Sequence, residues 1–222
     1  MKLILYSGGT AEANFDLNEI AVKLTDKTSP KFSLIPSASY DAEVDFKFFV
    51  DEFAPFGVTK FQCFTVDTPY SKTALSELLK SDLIFLGGGN TFYFLKHLKS
   101  TGLIDELKTF AANGGVLCGL SAGAIIMTPH VHTASFPHFD RDENPFDMKN
   151  LTAMKLVDFE FFPHYKNSKR YEEELLFHSK KIKHPLFASS DGGGIVIDNN
   201  SIRFVGRTFQ FFQGKKMAYN KL

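Results

Sequence analysis

Three short apolar runs in this chain each empty into a glycine-rich loop and are followed by helical spacing. Residues 2–6 run into Ser7-Gly8-Gly9-Thr10, residues 82–86 into Gly87-Gly88-Gly89-Asn90-Thr91, and residues 116–118 into Gly119-Leu120-Ser121-Ala122-Gly123. Continuous apolar strands alternating with helices at this spacing imply a parallel sheet covered on both faces. The same alternation places further strands at 31–36 and 60–66, with helices at 11–25, 40–53, 71–79, 92–99 and 104–112. A length of 222 residues is ample for one large α/β core, and the expectation is one domain spanning 1–222. In such sheets ligands gather outside the carboxyl ends of the strands, where the three glycine loops lie.

The composition excludes several classes. Lys plus Arg and Asp plus Glu each number 25, a formal charge of zero, so no global field attracts nucleic acid or an acidic membrane. The apolar run after Lys2 is shorter than the core of a signal peptide, and no segment approaches membrane-spanning length. A soluble, cytoplasmic protein is expected. Cys63 and Cys118 lack a C-x-x-C or C-x-x-H partner, which argues against a disulfide scaffold or zinc, and Cys118 reads as buried packing.

Gly119 to Gly123 has the G-x-S-x-G form of a nucleophile elbow, a sharp strand-to-helix turn that strains the central residue and needs small neighbours. Ser121 is the candidate nucleophile. Ala122 would present its backbone N–H to a developing oxyanion at a helix start, and an N–H from the Gly87–Gly89 loop could be the second donor. The plain alternative is a tight turn whose serine only caps the helix. The Gly87 loop lacks the lysine and hydroxyl of a phosphate loop, so nucleotide binding fits poorly.

Beyond Pro129 the pattern changes. Residues 130–150 are polar with no helical period and read as a lid or substrate loop; His130 and His132 there are taken as solvated, and no metal is expected. An apolar-alternating run at 155–162 leads to Pro163-His164-Tyr165, a helix follows at 168–181, and a strand at 185–189 opens into Ser190-Asp191-Gly192-Gly193-Gly194. A hairpin is expected from 195–197 and 202–205, with short strands or an extended tail at 209–212 and 216–219.

A serine nucleophile needs a base, itself oriented by a third group. Of seven histidines none follows Asp191, which excludes the α/β-hydrolase order with Asp191 as its acid. His164, which follows a strand-like run and Pro163, is the candidate base, whereas His97 and His178 fall inside helices and His184 precedes Pro185. Asp191, also at a strand end and followed by three glycines, is the orienting acid. All these loops are expected at one edge of the parallel sheet.

The motifs YSGGT, LGGGNTF, CGLSAGA, PHY and SDGGGI, in this order, resemble the peptidase E family of serine peptidases, or α-aspartyl dipeptidases, with cyanophycinases more distant. The resemblance implies a three-layer α/β/α sandwich with a mostly parallel sheet, similar to class I glutamine amidotransferases. It implies Ser121, His164 and Asp191 as catalytic residues, Gly89 and Ala122 as the oxyanion hole, and no cofactor. Asp191 stands where well-known members carry glutamate. The expected partner is a small peptide, with a homodimer compatible. The end soon after Tyr219 matches short members. An aspartyl substrate would need a cation, for which Arg170 is the nearest candidate, with Lys169 and Arg141 behind it. The same triad would also serve an esterase or amidase, and a binding protein that keeps the fold is the rival outside catalysis.

Overall fold

The computed structural model describes residues 1–219. Its first half alternates as the sequence does: β1 (Lys2–Tyr6), α1 (Phe15–Leu24), β2 (Lys31–Ile35), α2 (Ala42–Phe53), β3 (Lys60–Cys63), α3 (Lys72–Leu79), β4 (Leu83–Leu86), α4 (Thr91–Ser100), α5 (Leu103–Ala112), β5 (Val116–Leu120) and α6 (Ala122–Ile126). The second half holds β6 (Glu160–Phe162), α7 (Lys169–Ser179), β7 (Leu186–Ser189), β8 (Gly194–Asp198), β9 (Ser201–Val205), β10 (Thr208–Phe212) and β11 (Lys215–Ala218).

Seven strands pair in the order β3-β2-β4-β5-β1-β8-β9. The first five are parallel, while β8 runs antiparallel to β1 and β9 antiparallel to β8, the latter pair being the expected hairpin. Period-two alternation divides the core. Leu3 and Leu5 face one side with Ile84, Leu86, Leu117 and Ile195, against Leu78 of α3, Leu95 and Leu98 of α4, and Leu107 of α5. Ile4 and Tyr6 face the other, with Phe32, Leu34, Phe85 and Cys118, against Leu17 of α1 and Phe49 and Phe53 of α2. Helices therefore cover both faces of a mostly parallel sheet, the three-layer arrangement expected.

Some boundaries shift. Residues 11–14 form turns, with the Ala13 N–H donating to Thr10 Oγ1 at 3.3 Å, so the first helix starts at Phe15. Strand β3 stops at Cys63, where the chain turns so that Asp67 accepts from Ser39 N–H at 2.9 Å.

A second sheet, β11-β10-β7-β6, was not foreseen. Strands β6 and β7 are parallel, whereas β10 runs antiparallel to both β7 and β11. Phe161 and Phe187 on one face join the core beneath α3 to α6, while Phe162, Leu186, Ala188, Phe209 and Phe211 on the other pack with Tyr171 and Leu175 of α7. The 185–189 strand thus lies outside the parallel sheet that feeds the glycine loops. Between α6 and β6 the long polar loop is tied back to α6 by backbone bonds, Met154 N–H to Ile126 O at 3.0 Å and Leu156 N–H to Met127 O at 3.0 Å.

Candidate active site

Strand β5 ends at Leu120 and α6 begins at Ala122, so Ser121 alone makes the turn, at φ 50° and ψ −107°. That left-handed backbone is costly for a residue with a Cβ, about 1–3 kcal/mol, and is held by Ser121 N–H donating to Tyr6 O at 3.1 Å. The small neighbours are sterically required: a Cβ on Gly119 would run into the Gly123 backbone, and one on Gly123 into the Leu86 carbonyl. The hydroxyl does not cap α6. Instead Ser121 Oγ lies 2.8 Å from His164 Nε2, and His164 Nδ1 lies 2.7 Å from Asp191 Oδ1.

The expected site geometry is corrected in one respect. Of the three side chains only Ser121 sits on the parallel sheet; His164 follows β6, and Asp191 follows β7 in the crossover to β8. Two sheets therefore meet at the site, and the residue that joins them is Ser7, fully buried at the end of β1. Ser7 Oγ donates to Ser189 O at 2.7 Å and accepts from His164 N–H at 2.7 Å, while Ser7 N–H donates to Gly193 O at 2.9 Å. Gly192 N–H donates to Gly8 O at 2.8 Å. These bonds hold His164, itself at φ 56°, and the Asp191 turn against the end of β1. Ser7 could have been suspected from the YSGGT run, but nothing local says that its hydroxyl serves a residue more than 150 positions away.

Gly8 passes directly beneath the imidazole–carboxylate pair. A Cβ there would overlap His164 Cε1 and lie 2.5 Å from both His164 Nδ1 and Asp191 Oδ1. Because the two side chains are 44% and 50% exposed, they can swing outward. Gly8→Ala is expected to keep the fold, with Tm within a few degrees of wild type, yet to lower kcat by about a hundredfold through misplaced groups. An unchanged kcat beside an unchanged Tm would show that the pair tolerates the displacement.

Gly89 and Ala122 lie on adjoining loops, since Gly123 N–H donates to Gly87 O at 3.2 Å. Ala122, the first residue of α6, has no intrahelical acceptor for its N–H. Gly89 takes φ 123°, and a side chain there would strike Ser37 Oγ. Above Ser121 opens a cleft of about 340 Å³ lined in part by Thr91, Thr133, Phe136, Asp140, Asp142 and Lys166. Thr133, Phe136, Asp140 and Asp142 of this wall come from the polar loop read as a lid or substrate loop. Arg170 is not brought to the cleft: its guanidinium stacks over the Phe139 ring at 3.5 Å.

Burial raises the Cys118 thiol well above its ordinary value, so it is no competing nucleophile. The Tyr171 phenol is raised by burial and by its hydrogen bond to Asp140, which keeps it a donor. His130 and His132 stack with ring centroids 5.2 Å apart, and among the described residues no group of three His, Cys, Asp or Glu is placed to hold a metal ion. Nor is any helix among them long and apolar enough to cross a membrane.

Comparison with known proteins matches residues 3–205 to peptidase family S51. An uncharacterized peptidase of Pasteurella multocida strain Pm70 is 34% identical over 139 residues, covering 61% of this chain and 65% of that protein. A protein named peptidase E from Nostoc sp. strain PCC 7120 is 26% identical over 156 residues, covering 64% of this chain and 62% of that one. The chain thus spans just under two thirds of the length of each of these relatives. A solved structure of a candidate peptidase E from Listeria monocytogenes EGD-e superposes with a TM-score of 0.70 at 24% identity, over 92% of this chain and 98% of the other, and shares its fold.

Proposed function

We propose that this chain, which belongs to peptidase family S51, is a serine peptidase that hydrolyses small peptides through an acyl-enzyme on Ser121. Membership bears out the peptidase E resemblance carried by the motifs. The observation that carries the catalytic reading is the unbroken run of hydrogen bonds from Ser121 through His164 to Asp191, 2.8 and 2.7 Å long.

In this reading Ser121 Oγ attacks the scissile carbonyl as His164 Nε2 takes its proton, and Asp191 holds Nδ1–H and stabilises the imidazolium. The Gly89 and Ala122 N–H groups receive the oxyanion, each worth on the order of 3 kcal/mol of barrier. The tetrahedral intermediate collapses as His164 gives the proton to the leaving amine. Water, deprotonated by the same imidazole, then attacks the acyl-serine ester and regenerates the hydroxyl. Family resemblance favours Asp-X dipeptides. A cytoplasmic setting fits Cys63 and Cys118, both free thiols.

The test is covalent labelling with a small fluorophosphonate, mapped by mass spectrometry, beside a panel of Asp-X dipeptides, isoaspartyl peptides and simple esters. One label at Ser121 together with dipeptide hydrolysis is expected. Absence of label at Ser121 would remove the nucleophile; turnover of esters but of no peptide would make the protein an esterase.

A further inference from the structure

Between β6 and α7 the chain turns left-handed twice within residues 164–167, at His164 with φ 56° and at Asn167 with φ 49°. Such backbone is unfavourable for any residue with a Cβ, more so for histidine than for asparagine, and it persists only where neighbours hold it. The inner side of this segment is held from the sheet edges. Besides the contact of Ser7 with His164 N–H, Tyr165 N–H donates to Ser189 O at 2.9 Å and Ser190 Oγ–H donates to Tyr165 O at 2.8 Å. None of these bonds reaches past Tyr165.

The outer side is held from β11, by Lys216. Its ammonium donates to Asn167 Oδ1 at 2.7 Å and to the carboxylate of Glu172 on the first turn of α7, and the same Glu172 oxygen accepts from Tyr165 Oη–H at 3.3 Å. One cation thus ties Tyr165 and Asn167 to the helix that follows them. The Lys216 and Glu172 side chains are only 21% and 25% exposed, and the ammonium lies over the Phe209 and Tyr165 rings, 4.6 and 5.3 Å from their centroids, where water screens it less than at an open surface. The hydrogen bond from Lys216 is the main reason that Glu172 stays below the ordinary carboxylate range, so its carboxylate is charged at neutral pH. Tyr165 is fully buried, with its ring edge-on to Tyr171, Phe209 and Phe211, so in this close packing the ring cannot tilt without moving the adjoining backbone of His164. Lys216 lies beyond residues 3–205, the stretch matched to the family.

We propose that Lys216 is a positioning residue for the general base: by joining Asn167, Glu172 and Tyr165 it fixes the left-handed turn that aims His164 Nε2 at Ser121. The role rests on His164 being the base for Ser121. Without the ammonium, the turn at Asn167 loses the side chain that holds it from outside, Glu172 loses its counter-charge, and the imidazole samples orientations in which Nε2 no longer meets the hydroxyl. A cation that merely stapled β11 to α7 would stabilise the fold and leave the chemical step alone, which separates the two roles.

The experiment measures the rate at which a small fluorophosphonate labels Ser121 at about 15 °C, well below the melting range of ordinary domains, with kcat and KM on a dipeptide that the wild type hydrolyses. Lys216→Met keeps an apolar stem over the rings and removes the donors. It is expected to slow labelling about tenfold and to lower kcat by as much, with KM changed less than about twofold, because misplacing a reacting group acts on the chemical step. Lys216→Arg restores charge and donors and is expected to bring the rate to within about threefold of wild type. Asn167→Gly removes the same contact from the loop side while leaving left-handed backbone open to the chain, and should also slow labelling. Lys2→Met is the control for stability: it removes the bond from Lys2 Nζ to Leu24 O, 2.7 Å long, at the opposite end of β1 from Ser7, and should label at the wild-type rate. A Lys216→Met rate within about twofold of wild type, a loss that arginine does not restore, an unchanged rate in Asn167→Gly, or an equal loss in Lys2→Met overturns the role, whatever happens to Tm. Wild-type protein that takes no label at Ser121 removes the catalytic reading itself, and the role of Lys216 with it.

Discussion

Ser121→Ala is expected to lower kcat by about 10⁴- to 10⁶-fold, and His164→Ala by nearly as much. The double variant should be scarcely worse than either alone. The hydroxyl and imidazole act as one device: without the base the hydroxyl keeps its proton, and without the hydroxyl the base has nothing to activate. Their effects therefore do not add, and residual activity would come from the oxyanion hole and from binding. Asp191→Asn should cost less than the ~10⁴-fold typical of a buried triad aspartate. Half of the Asp191 side chain is open to solvent, where water can share the stabilisation of the imidazolium. Single-turnover and steady-state rates on one dipeptide would check all four proteins. Retention of more than about one per cent of wild-type kcat by Ser121→Ala would put the nucleophile elsewhere.

How much of this could be seen beforehand depended on the range of the interaction. The elbow was legible because its demands are local: a strand, a strained residue and small neighbours all fall within Gly119 to Gly123. His164 and Asp191 were legible by their places after apolar runs. Their true setting was not. Alternation marks 160–162 and 186–189 as strands, but it does not say that they pair with each other rather than with β1. The partition into two sheets is decided by long-range packing, in which Phe162, Leu186, Phe209 and Phe211 find one another around α7. For the same reason the stitching role of Ser7 was invisible.

The cleft wall was the least legible part. Residues 130–150 have no period to read, so a substrate loop could be suspected without knowing which of its charges face Ser121. The search for a cation to meet an aspartyl substrate led to Arg170 on helix α7. A residue on that helix does reach the cleft wall, but it is Tyr171, by holding Asp140, while Arg170 lies on Phe139. One residue along a helix turns a side chain by about 100°, enough to exchange the roles of neighbours.

A second large effect is expected outside the catalytic triad, at Glu160. This carboxylate is fully buried on β6 and meets His178 Nε2 at 2.6 Å, with His184 Nε2 at 3.5 Å from its other oxygen. Neither Glu160 Oε1 nor His184 Nε2 makes a well-directed hydrogen bond, so His178 carries most of the compensation. A glutamate within an apolar alternating run had to find such a partner, though the run could not name it. His178→Ala should destabilise the protein by about 3–5 kcal/mol, because it strands a buried carboxylate. That corresponds to a fall in Tm of roughly 10 °C for a chain of this size. If the stranded charge is the cause, Glu160→Gln combined with His178→Ala should be more stable than His178→Ala alone. The damage should also reach catalysis before unfolding does. Phe136, which lines the cleft, packs on the His178 ring with centroids 4.9 Å apart, and β6 runs through Pro163 directly to His164. Thermal unfolding of the three variants beside their kcat at low temperature would decide the matter: a fall of less than about 2 °C for His178→Ala would mean that Glu160 finds its compensation elsewhere.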